Sequence, residues 1–351
     1  MKCSLASALL LILCPIFSHA HKRTTGEIDG AQFIVDVPTN PTGDVLFLAR
    51  GYRPEALPLS PVYEEETTFF QTLRATGWTI ASTSFQGNRW VMADGGADLV
   101  ALYEYVEKEI LPIERAYLHG ESMGGGIVAW MAEHAPAHFD GAIALGAYLY
   151  AEPKWETPEN PQLADYLPGQ PGFPIVFLTN REEMAGSAAY VAQAQDSEYP
   201  PVLWPVDRPG HVNLNSAERL AALAAVVRWT RGDRPESMDN ALIPASPVSV
   251  AVLQDGKATG NITRTRPLYG NIYTNFVPSD LEALDITLGD TFSLTHGTTT
   301  VEVTFAKAYS DVPLGEWVAF IDPEGHVQIS RNYANATDTF GAKTGDTLTL
   351  S

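Results

Sequence analysis

The residue types best suited to chemistry cluster in one stretch, RAYLHGESMGGGIVAWMAEH at positions 115–134. At its centre Gly120-Glu121-Ser122-Met123-Gly124 forms a G-x-S-x-G sequence. Residues 116–118 before it are short and mostly apolar, as a buried parallel strand should be. After it, Ile127, Val128, Trp130 and Met131 recur at helical spacing. A serine on so tight a strand-to-helix turn takes a strained backbone, so its neighbours must have little or no side chain. In return its hydroxyl is exposed at the start of a helix, and the following Met123 N–H is free to bind a developing oxyanion.

A serine nucleophile needs a base to take its proton and an acid to orient that base. The sequence holds eight histidines. His19 and His21 lie near the amino terminus, His119 is on the strand before the turn, and His134 and His138 are at the far end of the following helix. His296 and His326 belong to the β-rich last third. His211 remains, on the loop Arg208-Pro209-Gly210-His211-Val212-Asn213 after the apolar run 202–206. The chain order serine, acid, histidine puts the acid after the apolar run 175–178. There Glu183 fits best, with Glu182 as the alternative; Asp207 is too near His211 in sequence to orient it from the sheet. The second oxyanion donor belongs on the loop after residues 45–49, where Gly51 precedes the Tyr52 N–H.

Positioning these groups requires strands that all end at one edge. Residues 45–49, 78–84, 116–118, 141–145 and 174–178 read as buried strands, and residues 26–37 as a further strand. Helices are expected over 69–76, 99–110 and 217–230, beside the one after Ser122. This alternation predicts an α/β fold, a mostly parallel sheet with helices on both faces. Residues 149–172 have no period and read as a lid or substrate loop, with Tyr148, Tyr150 and Trp155 as candidate contacts. From Arg231 prolines punctuate a linker, and β-rich runs at 249–253, 300–305, 317–321 and 326–329 follow. The expected organisation is a signal peptide at 1–20, the α/β domain at 21–232, a linker at 233–247 and a small all-β domain at 248–351.

The leader is read from Lys2, the apolar run 5–17 and Ser18-His19-Ala20 as a cleavage site, and it implies a secreted or periplasmic protein. Both cysteines, Cys3 and Cys14, fall within it, so the mature chain has no disulfide, thiolate nucleophile or cysteine metal site. The formal net charge of −20 argues against nucleic acid and anionic membranes as partners. With no H-E-x-x-H or comparable spacing, neither a metal nor a cofactor is expected.

On Arg50-Gly51-Tyr52, Gly120-Glu121-Ser122-Met123-Gly124-Gly125 and Gly210-His211, residues 26–232 resemble an α/β-hydrolase. The resemblance implies a serine hydrolase working through an acyl-enzyme, with Ser122 as nucleophile, His211 as base and Glu183 as acid. Arg50 departs from it, standing where many members have histidine. Residues 247–351 are similar to the C-terminal β-barrel of the S-adenosylmethionine hydrolase (adenosine-forming) and halogenase family. That likeness rests on the runs 269–275, 314–316 and 323–332, Asn335-Ala336 and Gly345-Asp346. The family's amino-terminal domain is replaced here by a hydrolase sheet, and Pro323-Glu324 stands where the family has Asn-Ser. S-adenosylmethionine hydrolysis is therefore not expected. Three uses of the domain stay open: a structural or oligomerising module, a substrate-presenting or surface-binding module, and a nucleoside pocket around Asn271, Arg331 and Asn332. The expected function is an exported, cofactor-free hydrolase of a small or polymeric carboxylic ester. The alternatives are a peptidase or amidase of the same fold, and a non-catalytic binding protein.

Overall fold

The computed structural model describes residues 21–61, 63–149, 167–238, 247–266 and 270–351. The leader and most of the lid segment, including Tyr150 and Trp155, lie outside the described residues, as does part of the linker.

The chain first forms a hairpin. Strands β1 (His21–Ile28) and β2 (Ala31–Pro38) pair antiparallel in unbroken register, from His21 opposite Pro38 to Ile28 opposite Ala31. Asp29 and Gly30 at the turn both have positive φ, the two-residue geometry that matches strand twist. The single strand expected over 26–37 is thus two strands. The apolar pattern runs through the turn and conceals the Asp-Gly signal.

Next come β3 (Asp44–Ala49), α1 (Thr68–Ala75), β4 (Thr79–Thr83), α2 (Met92–Tyr105), β5 (Arg115–Glu121), α3 (Met123–His134), β6 (Gly141–Leu145), β7 (Ile175–Asn180), α4 (Ala185–Gln193), β8 (Val202–Val206) and α5 (Ser216–Trp229). The sheet order is β1-β2-β4-β3-β5-β6-β7-β8, parallel from β4 to β8. Every residue of β3, β4, β6 and β7 is buried, because helices cover both faces. On one side α2 and α3 pack through Leu99, Leu102, Ile127 and Met131; on the other, α1 and α5 pack through Phe69, Leu73, Leu223 and Val226. Burying each large side chain is worth roughly 1.5–3 kcal/mol. That outweighs the marginal stability of an eight-residue helix such as α1, so packing fixes it.

Helix α2 starts seven residues before the expected Leu99 and runs into a π-type turn at Val106–Ile110. Its Asp94-Gly95-Gly96 reads as a loop, but the glycines allow close approach to α3. A Cβ on Gly96 would stand 2.7 Å from the Trp130 ring. Helix α4 was not expected, since its Ala- and Gly-rich sequence carries little apolar periodicity.

The second sheet closes on itself. Its strands are β9 (Val252–Gln254), β10 (Lys257–Arg266), β11 (Asn271–Thr274), β12 (Thr291–His296), β13 (Thr299–Phe305), β14 (Trp317–Ile321), β15 (Val327–Arg331) and β16 (Thr347–Leu350). The order β11-β15-β14-β13-β12-β16-β10 is completed by β10–β11 pairing, which makes a closed barrel, with β9 added on β10. Its interior is filled by Ile272, Leu294, Val303, Ile329 and Leu348. Short helices α6 (Pro278–Glu282) and α7 (Ala336–Phe340) complete the domain.

The tightest packing in the first domain is around the turn after β5. A Cβ on Gly124 would lie 1.9 Å from the Ala49 carbonyl oxygen, whereas one on Gly87 meets nothing within 4 Å. Gly124→Ala is expected to lower unfolding free energy by about 3 kcal/mol or more in a urea titration. Gly87→Ala should leave the midpoint unchanged, and equal effects of the two would contradict this account.

Candidate functional site

Strand β5 delivers Ser122 at its carboxyl end. The serine sits at φ 56°, ψ −116°, a left-handed conformation that few residues with a side chain adopt. Three backbone bonds hold it: its N–H donates to Leu145 O at 2.9 Å, and its carbonyl accepts from Tyr148 N at 3.0 Å and Gly126 N at 3.3 Å. Gly120 and Gly124 face each other so closely that a Cβ on Gly120 would stand 2.2 Å from the Gly124 oxygen. Both flanking glycines therefore have a steric reason.

The structure brings His211 to this serine. Its Nε2 lies 2.8 Å from Ser122 Oγ, and its Nδ1 is hydrogen-bonded to Glu183 Oε2. The other Glu183 oxygen accepts the Val212 N–H at 3.1 Å, so one carboxylate fixes both ring and backbone. Glu182 turns elsewhere and meets Lys307 Nζ of the barrel at 3.3 Å. Asp207 lies 3.6 Å from Arg181. Between the two sequence candidates for the acid, only Glu183 contacts the imidazole.

Burial disfavours a charged imidazole at His211, but the hydrogen bond and charge of Glu183, with the charge of Glu121, outweigh it and raise its pKa above the ordinary 6.5. His119, in contrast, is buried under the turn against Phe69 and Arg219, and burial pushes it down to about 4. It is neutral at neutral pH and does not touch the serine. Burial also works against charge on Glu121, yet the Arg219 guanidinium and His119 bring its pKa to about 2. An anionic carboxylate thus stands one residue from Ser122.

The two residues expected to supply oxyanion donors, Tyr52 and Met123, lie on the loop after β3 and at the start of α3. Gly51 packs against the serine, where an added Cβ would reach Ser122 Cβ at 3.4 Å, and Tyr52 follows it in the chain. Met123 is the first residue of α3. Arg50 explains its departure from the expected histidine. Its guanidinium donates to Ser84 O at 2.9 Å, Gly51 O at 3.0 Å and Gly87 O at 2.7 Å, and lies over the Phe85 ring. It ties the loop to the β4–α2 connection.

Several residues that shape the site escaped sequence reasoning. Asn180, buried at the end of β7, donates to Arg208 O at 2.9 Å and Asn213 O at 3.0 Å, and accepts from Asn213 N at 2.8 Å. It clamps both ends of the His211 loop. Arg208 donates to Glu218 at 2.7 Å, and Glu218 forms a capping box with Asn215 at the start of α5. Gly146, at φ 49°, leaves room for the acid: a Cβ there would lie 2.6 Å from Glu183 Oε1. The only signal for Asn180 was its place at a strand end; Gly146 has no local signal.

The three residues of the suggested nucleoside pocket have these surroundings. Asn271 lines the space between the domains. Arg331 donates to Gly315 O and Thr339 Oγ1, and Asn332 to Val312 O at 2.7 Å. Tyr148 packs edge-to-face on Trp90, with ring centroids 5.0 Å apart. Among the described residues, His21, Asp36 and Glu65 have spacing suited to a metal, but Arg23 already bonds both carboxylates. Among the described residues no helix is long and apolar enough to cross a membrane.

Two family models agree with this architecture. The alpha/beta hydrolase fold family model matches residues 74–234, and that of the SAM hydroxide adenosyltransferase C-terminal domain matches residues 268–349. The chain thus joins an α/β-hydrolase fold domain to a β-barrel of the second kind. A fluorinase of Nocardia brasiliensis is 24% identical over 344 residues, covering 96% of this chain and 88% of the relative. A dienelactone hydrolase from Anabaena variabilis aligns at 16% identity and a TM-score of 0.41, over 61% of this chain and 96% of its own. An uncharacterized conserved protein from Thermotoga maritima aligns at 21% identity and a TM-score of 0.28, over 36% of this chain; the match spans 48% of that protein, less than half its length.

The hydrogen bond that Glu183 accepts from the imidazole makes a specific titration expected. Followed by NMR of its ring resonances, His211 should titrate above 6.5 in the native chain and at lower pH in Glu183→Gln, where a neutral amide no longer favours the imidazolium. An unchanged midpoint in that variant would contradict the electrostatic account.

Proposed function

We propose that the chain is an exported serine hydrolase that cleaves carboxylic esters through an acyl-enzyme. The observation that carries this reading is the contact of Ser122 Oγ with His211 Nε2 at 2.8 Å, on a serine held in a left-handed turn. His211 Nε2 takes the hydroxyl proton as Oγ attacks the carbonyl carbon. Negative charge then builds on the former carbonyl oxygen, where the Met123 and Tyr52 N–H groups would donate to it. As the intermediate collapses, the imidazolium gives its proton to the departing alcohol and leaves an ester on Ser122. Water, deprotonated by the same imidazole, hydrolyses that ester and releases the acid. Glu183 holds the imidazole and stabilises the transient imidazolium. No step calls on a cofactor.

Export is part of the proposal and rests on the sequence of residues 1–20. N-terminal sequencing of the protein recovered from periplasm or medium should then begin near His21; recovery with Met1 intact would remove that part.

Ser122→Ala is expected to abolish both turnover of a short acyl ester and labelling by a fluorophosphonate probe; labelling of the alanine variant would identify a different nucleophile. Glu183→Gln should lower kcat/KM by about 10²–10⁴-fold, while Glu182→Gln should stay within about twofold. The base must be neutral, so activity is lost as pH falls through the His211 pKa, and in Glu183→Gln the acid limb should move to lower pH. A matched amide turned over faster than the ester would favour a peptidase or amidase instead.

A further inference from the structure

A cavity of about 270 Å³ lies between the two domains, with His211 and Glu121 on its hydrolase wall. Neither Ser122 nor the oxyanion-side residues Gly51, Tyr52 and Met123 line it, so it opens on the imidazole side of the nucleophile. In the acyl-transfer step the imidazolium protonates the leaving alcohol, so that half of an ester must sit beside His211. The cavity's far wall belongs to the barrel.

The charges in this space are mostly matched within the protein. Arg266 pairs with Glu64 at 2.6 Å, Arg219 with Glu121, and Lys307 with Glu182 at 3.3 Å. Asp322 accepts the Glu324 and His326 N–H groups, each at 2.9 Å, and Glu324 accepts both the N–H and the hydroxyl of Ser216. Arg264 is the exception. Its guanidinium lies 3.7 Å from the Tyr273 ring centroid, and among the described residues no carboxylate or other acceptor meets its N–H groups.

That placement is built into the strand. Register along β10 shifts between Ile262 and Arg264, and the shift puts Arg264 directly opposite Tyr273 of β11. A bulge of this kind re-aims a side chain. Stacking on the ring then holds the guanidinium plane while its N–H edge stays open, which is the geometry that receives a carboxylate with two parallel hydrogen bonds. With Asp322 and Glu324 on the same cavity, a singly charged carboxylate is accommodated better than a dianionic phosphate.

We propose that the ester cleaved at Ser122 carries a carboxylate on its alcohol half, bound by Arg264 in the cavity between the domains. The barrel is then a substrate-selecting wall of the active site. This rests on the serine-hydrolase reading above, and the test separates the two.

The full chain is assayed with 4-nitrophenyl acetate and with 5-acetoxy-2-nitrobenzoate, the same ester with a carboxylate beside the nitro group. The native chain should show the higher kcat/KM for the carboxylated ester. In Arg264→Gln the ratio of the two kcat/KM values should fall by about tenfold, mainly through KM, with Arg264→Lys in between. A native preference for the neutral ester, or a ratio that Arg264→Gln leaves unchanged, overturns this inference alone. So does failure to cleave either ester while a fluorophosphonate still labels Ser122; failure to label overturns the serine-hydrolase reading as well.

Discussion

The first domain is organised around a steric constraint at one peptide unit. Ser122 occupies a backbone region that costs on the order of 1–3 kcal/mol, and it stays there because its surroundings leave no alternative. Gly124 is wedged against the end of β3, Gly120 against Gly124, and the serine's N–H and C=O are bonded to Leu145 and Tyr148 at and beyond the end of β6. Three adjacent strands must therefore end at the same level for the turn to exist. Their parallel pairing in the order β3-β5-β6 is the long-range condition for a local conformation.

Because Ser122 is fixed this firmly, the His211 imidazole has to be brought to it. The His211 loop is not held by sheet pairing; side chains hold it instead. Gly210 and Val212 both take positive φ, at 110° and 52°, which turns the loop back toward β5. Asn180 spans its ends, Arg208 ties it to the first turn of α5, and Glu183 bonds one side to the ring and the other to the backbone. Each bond alone contributes about 1 kcal/mol net. Together they restrict the imidazole more than any one could, since releasing one end of Glu183 also frees the other contact.

What the sequence disclosed follows from how local each feature is. The turn at Ser122 was legible because its glycines and flanking apolar runs are contiguous, and the same holds for the buried strands. His211 could be reached by elimination. The acid could be narrowed to two neighbours but not resolved, because the difference lies outside the segment: Lys307 of the other domain engages Glu182, while Gly146 opens space for Glu183. Asn180 and Arg208 were invisible for a related reason, as their partners are backbone carbonyls and a buried carboxylate that only the fold brings near. The early start of α2 was hidden by glycines whose purpose is contact with Trp130. The barrel was readable from its turns and runs, yet the side chains of Arg331 and Asn332 proved to be committed to the barrel's own backbone.

The two domains divide the work unevenly. Among the described residues, the hydrogen bonds to Ser122, His211 and Glu183 come from the first sheet and its loops. The barrel touches the same region through polar contacts: Glu64 with Arg266, Glu182 with Lys307, Ser216 with Glu324 and Asn213 with the Ile321 carbonyl. Interfaces made of such pairs hold less tightly than apolar ones, because water competes for each partner. Two of these contacts nonetheless fall on the residue before the acid and on the loop two residues after the histidine. A displacement of the barrel would leave Ser122 and His211 in place while removing the far wall of the cavity. The contacts among Ser122, His211 and Glu183 thus lie in one domain, and the shape of the space beside the imidazole depends on both.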